Sequence, residues 1–166
     1  MSGMPLWVPI SAAIFGAIVA GGIQAILAEW HRCHERNTIL IAIATEVGCI
    51  CELIRFRGYL DWCGKLLIEM QADPTKILSP TIDIRQNYFP VFESLSPKIG
   101  ILDKQQVKNI VRFYALCRTA IDSTHADGVM IENDDVELAL ENVQQLIEIL
   151  EEALRLGDAI VQFPTS

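Results

Sequence analysis

The hydrophobic and polar positions divide the chain into stretches of different period. Residues 5–28, PLWVPISAAIFGAIVAGGIQAILA, hold no charged side chain and no histidine, and none precedes Glu29. A helix over these positions rises about 36 Å, enough to cross a ~30 Å hydrocarbon core with some tilt. The pattern predicts one N-terminal transmembrane helix. A cleaved signal peptide would open with a basic segment and carry a shorter apolar core, whereas this chain opens Met-Ser-Gly-Met-Pro. A buried core helix seldom runs past ~14 wholly apolar residues. Gln24 is the one strongly polar side chain inside the stretch, and packing between membrane helices tolerates it.

Beyond the stretch the period becomes helical. From Asn37 to Met70, Leu40, Ile43, Val47, Ile50, Ile54 and Leu67 recur at spacings of three and four, and no proline occurs before Pro74. This segment is expected to be one long helix, with Thr45, Glu46, Cys49, Glu52 and Arg55 on its more polar side. Ile39–Ile54 is apolar enough to raise a second span, but Glu46 and Glu52 would each cost a few kcal/mol at membrane depth, so a buried helix outside the bilayer is preferred. Residues 72–88, with Pro74, Pro80, Asp73 and Asp83, read as a connector. A short helix is expected at Pro90–Leu95, stopped by Ser96-Pro97 because the residue before proline avoids the helical region.

Two capped helices close the chain. Asp103 with Gln106 forms a capping box at the start of one, which ends before Gly128 and lines a face with Val107, Ile110, Val111, Tyr114, Cys117 and Ile121. The other opens at Asn133 or Asp134 with Glu137 completing a second box, and carries Val136, Leu140, Val143, Ile147, Leu150, Leu154 and Val161 at near-heptad spacing. A short connection makes the pair an antiparallel hairpin. The expected class is all-α: a transmembrane anchor over residues 1–29, then a cytosolic bundle of three to four helices over 30–166, the C-terminal hairpin included.

Charge sets the orientation. Arg32 and Arg36 follow the span within two turns, and Trp30 sits at interface depth, while the other flank offers only the α-amino group. Basic residues beside a span end stay in the cytoplasm. The chain is therefore expected in the inner, cytoplasmic membrane with its N-terminus outside. Five cysteines, an odd number set mostly in apolar helical context, suit a reducing compartment better than a disulfide framework. The net charge of −8 is unevenly spread, since residues 126–166 hold ten acids and only Arg155 as a base. That excludes a duplex nucleic-acid binder, which needs a basic face.

Glu46, Arg57-Gly58-Tyr59, Ile99-Gly100-Ile101-Leu102 and Arg112-Phe113-Tyr114 together resemble the pattern of a broad set of uncharacterised small bacterial proteins. Those proteins have one N-terminal membrane helix and a helical cytoplasmic domain. The resemblance implies an inner-membrane bacterial protein and carries no activity and no functional residues.

Candidate chemistry is sparse. His31, Cys33 and His34 crowd the membrane edge but do not share a helical face, and no CxxC or HxxxH partner accompanies them, so no metal is expected there. Cys49-x-Cys51 is off-spacing for redox or metal work and reads as core. His125 beside Asp127 is accounted for by a helix C-terminus, which favours a cation. No nucleophile elbow, phosphate loop or zinc-protease motif occurs, so no enzyme, cofactor or catalytic residue is expected. Lys104, Lys108 and Arg112 form one basic stripe that either binds a phosphate-bearing ligand or pairs with Glu137, Glu141, Glu148 and Glu152 across the hairpin. In the span, Ala12, Gly16 and Ala20 repeat every four residues beside Ala13, Ala17 and Gly21, a face that lets helix backbones approach in lipid. The sequence thus predicts a non-enzymatic, membrane-anchored interaction or regulatory protein, partnered by the bilayer and a second copy of itself. The alternatives are a membrane effector of antiviral defence gated by a small anionic nucleotide, and an enzyme of unknown chemistry.

Overall fold

The computed structural model describes residues 7–73, 75, 76, 78, 88–124 and 135–163, with side chains from Val19 onward. The described residues are all-α with no strand. The helices are α1 (Trp7–Phe56), α2 (Tyr59–Ala72), α3 (Pro90–Leu95), α4 (Lys104–Thr124) and α5 (Val136–Val161), with a 3-10 turn at Ser96–Ile101 between α3 and α4. The chain falls into two units, Met1–Thr38 and Ile39–Ser166.

In the first unit Val19, Ile23, Ile26, Leu27 and Trp30 are exposed. Trp30 stacks on His34 at 5.7 Å and meets His31 edge-on at 5.2 Å, and Arg32 pairs with Glu29 at 3.6 Å. Among the described residues no helix is long and apolar enough to cross a membrane. The larger part of the expected span, residues 5–18, lies outside the described side chains.

In the second unit, Ile39, Leu40, Ile43, Val47, Ile50, Cys51 and Ile54 of α1 are buried, which is the stripe the period of three and four marks out. The expected single helix from Asn37 to Met70 is instead two. Gly58 sits at φ +62°, ψ +35°, a left-handed position open to glycine at no steric cost. The Gly58 N–H donates to Arg55 O at 3.0 Å and the Arg57 N–H to Leu53 O at 3.0 Å, closing α1. Trp62 N–H then donates to Gly58 O at 2.9 Å to open α2. Hydrophobic spacing carries no mark of this break, because Leu67 resumes the helical rhythm after it.

Both caps of the hairpin form, with one shift. The Asp103 N–H donates to Gln106 Oε1 at 3.1 Å, the reciprocal half of the expected box. At α5 the cap is Asp135, whose Oδ1 accepts the Glu137 N–H at 3.0 Å. Asn133 and Asp134 lie outside the described residues. In the connector, Asp73 Oδ1 accepts the Thr75 N–H at 3.2 Å and its hydroxyl at 2.6 Å, a local turn.

The inner faces of the hairpin are rotated from those expected. On α4 the expected Ile110, Tyr114 and Cys117 are buried, but Val111 is 44% exposed and Gln106, Phe113, Ala120 and Thr124 complete the buried line. On α5 the innermost line is Ala139, Val143, Leu146, Leu150, Ala153, Gly157 and Ile160. Leu140, Ile147 and Leu154 only flank it, and Val161 is half exposed. Small residues take the centre because α5 lies directly on α1. A Cβ at Gly157 would collide with Cys51 Sγ and stand 3.0 Å from Phe113 Cε2. Arg55 of α1 holds Asp158 of α5 at 2.7 Å beside this approach.

Candidate functional site

The densest polar cluster inside the second unit is built on Glu46. Three residues after Ile43 and four before Ile50, it belongs to the buried stripe of α1, not to the polar side where its charge alone would put it. It is 9% exposed. Oε1 accepts the Val91 N–H at 2.7 Å, and Oε2 accepts the Phe92 N–H at 3.0 Å and the Tyr114 hydroxyl at 2.6 Å. Three donors on two oxygens suit an acceptor-only carboxylate.

The geometry follows from the start of α3. Pro90 occupies its first turn and has no N–H, and Phe89 before it supplies no side-chain cap. The free N–H groups of Val91 and Phe92 would otherwise be orphaned at a partly buried helix end. Glu46 caps them from another helix, across 45 residues of chain. The ring of Tyr114 is held by Phe92 stacked at 3.9 Å, with Phe89 at 5.4 Å and Phe113 at 5.3 Å edge-on. Burial first, and then the hydrogen bond to Glu46, push the Tyr114 hydroxyl well above its ordinary range. It acts as a donor to Glu46 and not as an acid. Outside the ring, Arg118 bonds Glu93 at 2.8 Å and lies over the Phe89 ring at 5.7 Å. The arrangement ties α1, α3 and α4 together.

Two hollows adjoin it. An apolar cavity of about 70 Å³ is lined by Ile50, Ile54, Tyr88, Phe89, Cys117 and Leu150, far below the roughly 300 Å³ at which small-molecule sites begin. An open groove of about 560 Å³ passes Thr45, Glu46, Cys49, Tyr88 and Val91. Its carboxylate is committed to α3, and Glu46 is the one acid that lines it among the described residues. Cys49, expected in the core, is exposed on this groove, whereas Cys51 is buried. All five cysteines are free thiols. Burial pushes Cys51 and Cys63 up to about 11 and Cys117 up to about 12, which suppresses the thiolate that nucleophilic chemistry needs.

The basic stripe is where the spacing puts it, on the exposed side of α4. Arg112 pairs with Glu152 of α5 at 3.1 Å, and Glu152 is also held by Arg155. These partners lower the Glu152 carboxyl, Arg155 most. Lys104 and Lys108 are exposed and make no ion pair among the described residues. Of the small residues in the first unit, Ala20 and Gly21 are exposed and a Cβ at Gly21 would meet nothing within 4 Å. The side chains of Ala12, Ala13, Gly16 and Ala17 lie outside the described set. His31, Cys33 and His34 are not brought together as a ligand set, and no group of three metal-binding side chains occurs among the described residues.

Glu46 and Tyr114 are the residues that a search for catalytic motifs passes over. The available signal is the carboxylate placed at helical spacing inside an apolar stripe. No protein-family model, curated protein or solved structure matches the chain.

Proposed function

We propose that the protein is a membrane-anchored, self-associating helical interaction or regulatory module without catalytic chemistry of its own. The observation that carries the non-enzymatic reading is the closure of the Glu46 cluster. Its acceptors and the Tyr114 hydroxyl are spent on one another and on α3, and the interior thiols are held protonated. Anchoring is supported by the uncharged residues 5–28 and by Arg32 and Arg36 beyond them, which orient the second unit to the cytoplasm. Self-association is supported in the span by the small-residue repeats at Ala12, Gly16, Ala20 and Ala13, Ala17, Gly21.

The anchor is tested by carbonate extraction of membranes combined with a reporter fused after Ser166. Retention in the pellet with a cytoplasmically active fluorescent fusion is expected. Release into the supernatant would remove the anchor, and an active alkaline phosphatase fusion would reverse the orientation.

A second reading, an effector gated by a small anionic nucleotide, is favoured by the exposure of Lys104 and Lys108, which make no ion pair among the described residues. It requires saturable, salt-sensitive nucleotide binding to the full chain that is lost when Lys104 and Lys108 become Gln.

A further inference from the structure

The outer face of the α4–α5 hairpin is charged in two halves of opposite sign. The helices run antiparallel, since Phe113 lies against Gly157 while Cys117 and Ala120 share a cavity with Leu150. The Arg112–Glu152 pair marks a level near the middle of both. On one side of that level stand Lys104, Lys108, Arg112 and Arg155, and Glu152 is taken up by the two arginines. Asp103, at the head of α4, and Asp158, held by Arg55 of α1, are the other carboxylates at this end, and exposed Glu151 stands beside Glu152 at the central level. On the opposite side stand Asp122, Glu137, Glu141 and Glu148, all exposed. Arg118, at that level on α4, is turned to α3 and holds Glu93. None of Lys104, Lys108, Asp122, Glu137, Glu141 or Glu148 makes an ion pair among the described residues. Among the described residues Glu141 accepts the Gln145 amide.

The two halves are nearly balanced about the Arg112–Glu152 level. At ~1.5 Å per residue, Lys104 and Lys108 centre about 9 Å to one side of it and Glu141 and Glu148 about 11 Å to the other. Val111, 44% exposed, and Ala115, exposed, lie on α4 near that level. A face with opposite charges at equal distances from its centre is complementary to its own copy turned by a half-rotation. The same face laid down without that rotation sets Lys on Lys and Glu on Glu, which excludes the wrong register.

We infer that this face joins two copies of the chain about a two-fold axis near Arg112, Lys104 and Lys108 of each copy meeting Glu141 and Glu148 of the other. The inference rests on the self-association proposed above and gives it a surface outside the span. Val111 and Ala115 form the apolar centre, and the charges form the rim that sets orientation.

The test uses the full chain in a neutral detergent, with equal parts of isotopically light and heavy protein. A zero-length carbodiimide couples Lys to Glu only in contact. Within one chain the two pairs centre about 20 Å apart along the hairpin and the nearest members, Lys108 and Glu148, about 12 Å, and the light–heavy mixture separates any link within one chain from one between chains. Mixed light–heavy peptides joining Lys104 or Lys108 to Glu141 or Glu148 are expected, and they should fade as salt rises. Two charge-reversal variants, Lys104→Glu/Lys108→Glu and Glu141→Lys/Glu148→Lys, should each self-associate roughly tenfold more weakly. Mixing the two should restore association, because each then carries the charge the other lacks. Unchanged association of either variant, or no recovery on mixing, overturns the inference. A dimer that persists in both variants leaves self-association standing and assigns it to another surface. A monomeric wild-type chain overturns the inference and the self-association together.

Discussion

Glu46 of α1 and Glu148 of α5 are the same side chain in two settings. Glu46 is 9% exposed and has its oxygens filled by two backbone N–H groups and a tyrosine hydroxyl. Glu148 is exposed and, like Glu137 and Glu141 on the same helix, makes no ion pair among the described residues. Inside, removal of one partner leaves several groups without water to turn to, and the low local dielectric magnifies each loss. Outside, water takes over whatever a missing partner leaves. The interior cluster therefore decides whether this arrangement of helices holds. The outer face has little to say about folding and is free to address a partner.

The largest expected effect comes from emptying the interior site. Glu46→Ala strands the Val91 and Phe92 N–H groups and the Tyr114 hydroxyl in one step. We expect a loss of about 3–5 kcal/mol, read as a fall of roughly 10 °C in Tm. Tyr114→Phe removes one donor and keeps the aromatic stack, so its cost should be about 1–2 kcal/mol. Equal losses from the two variants, in thermal unfolding followed by circular dichroism, would show that capping of α3 contributes nothing.

The interior also sets the alkaline limit. Cys51, Cys63 and Cys117 have folded-state values of about 11, 11 and 12, above those of an unfolded thiol. A group raised on folding gives stability that is complete below its unfolded value and is lost as pH rises toward the folded one. Stability should therefore be level near neutrality and decline from about pH 9 toward 11–12, by about 2 kcal/mol at pH 9.5 for the three thiols together. Denaturant titrations across pH 7–10 measure the slope. The triple variant Cys51→Ala/Cys63→Ala/Cys117→Ala should be less stable at pH 7 and decline more gently. An alkaline slope as steep as the wild type's would assign the effect to other groups.

The same contrast explains what could be seen in the chain before its structure. The apolar stripe Leu40, Ile43, Val47, Ile50, Ile54 and the box at Asp103–Gln106 are local patterns, each with its cause within a few residues. The break at Gly58 is also local, but the hydrophobic rhythm passes over it, and only the left-handed φ shows why glycine stands there. The burial of Glu46 depends on Tyr114 and on the Pro90 turn, far away in sequence, so its charge argued for the wrong side of α1. The innermost line of α5 was hidden for a related reason. Ala139, Ala153 and Gly157 are weak hydrophobic signals, and their smallness matters only because α1 comes so close. The basic stripe of α4 was legible in place. Its division into a paired Arg112 and two lysines that make no ion pair among the described residues was not, because that depends on the register of α5.

The smallest effect belongs to that pairing. Arg112 and Glu152 meet at 3.1 Å with the arginine more than half exposed, and Glu152 keeps Arg155 when Arg112 is lost. Arg112→Gln should therefore cost little, and the coupling in a double-mutant cycle with Glu152→Gln should be close to the limit of measurement. Glu152→Gln should cost the more of the two, since it releases two arginines at once. Both effects should shrink in high salt, where the Glu46→Ala loss should hold, because ions screen exposed charges and do not reach buried ones. A coupling of several kcal/mol, or one indifferent to salt, would move this pair from the outer face into the class of Glu46. The charge pattern of the hairpin would then be a property of the fold and no longer available to a second copy.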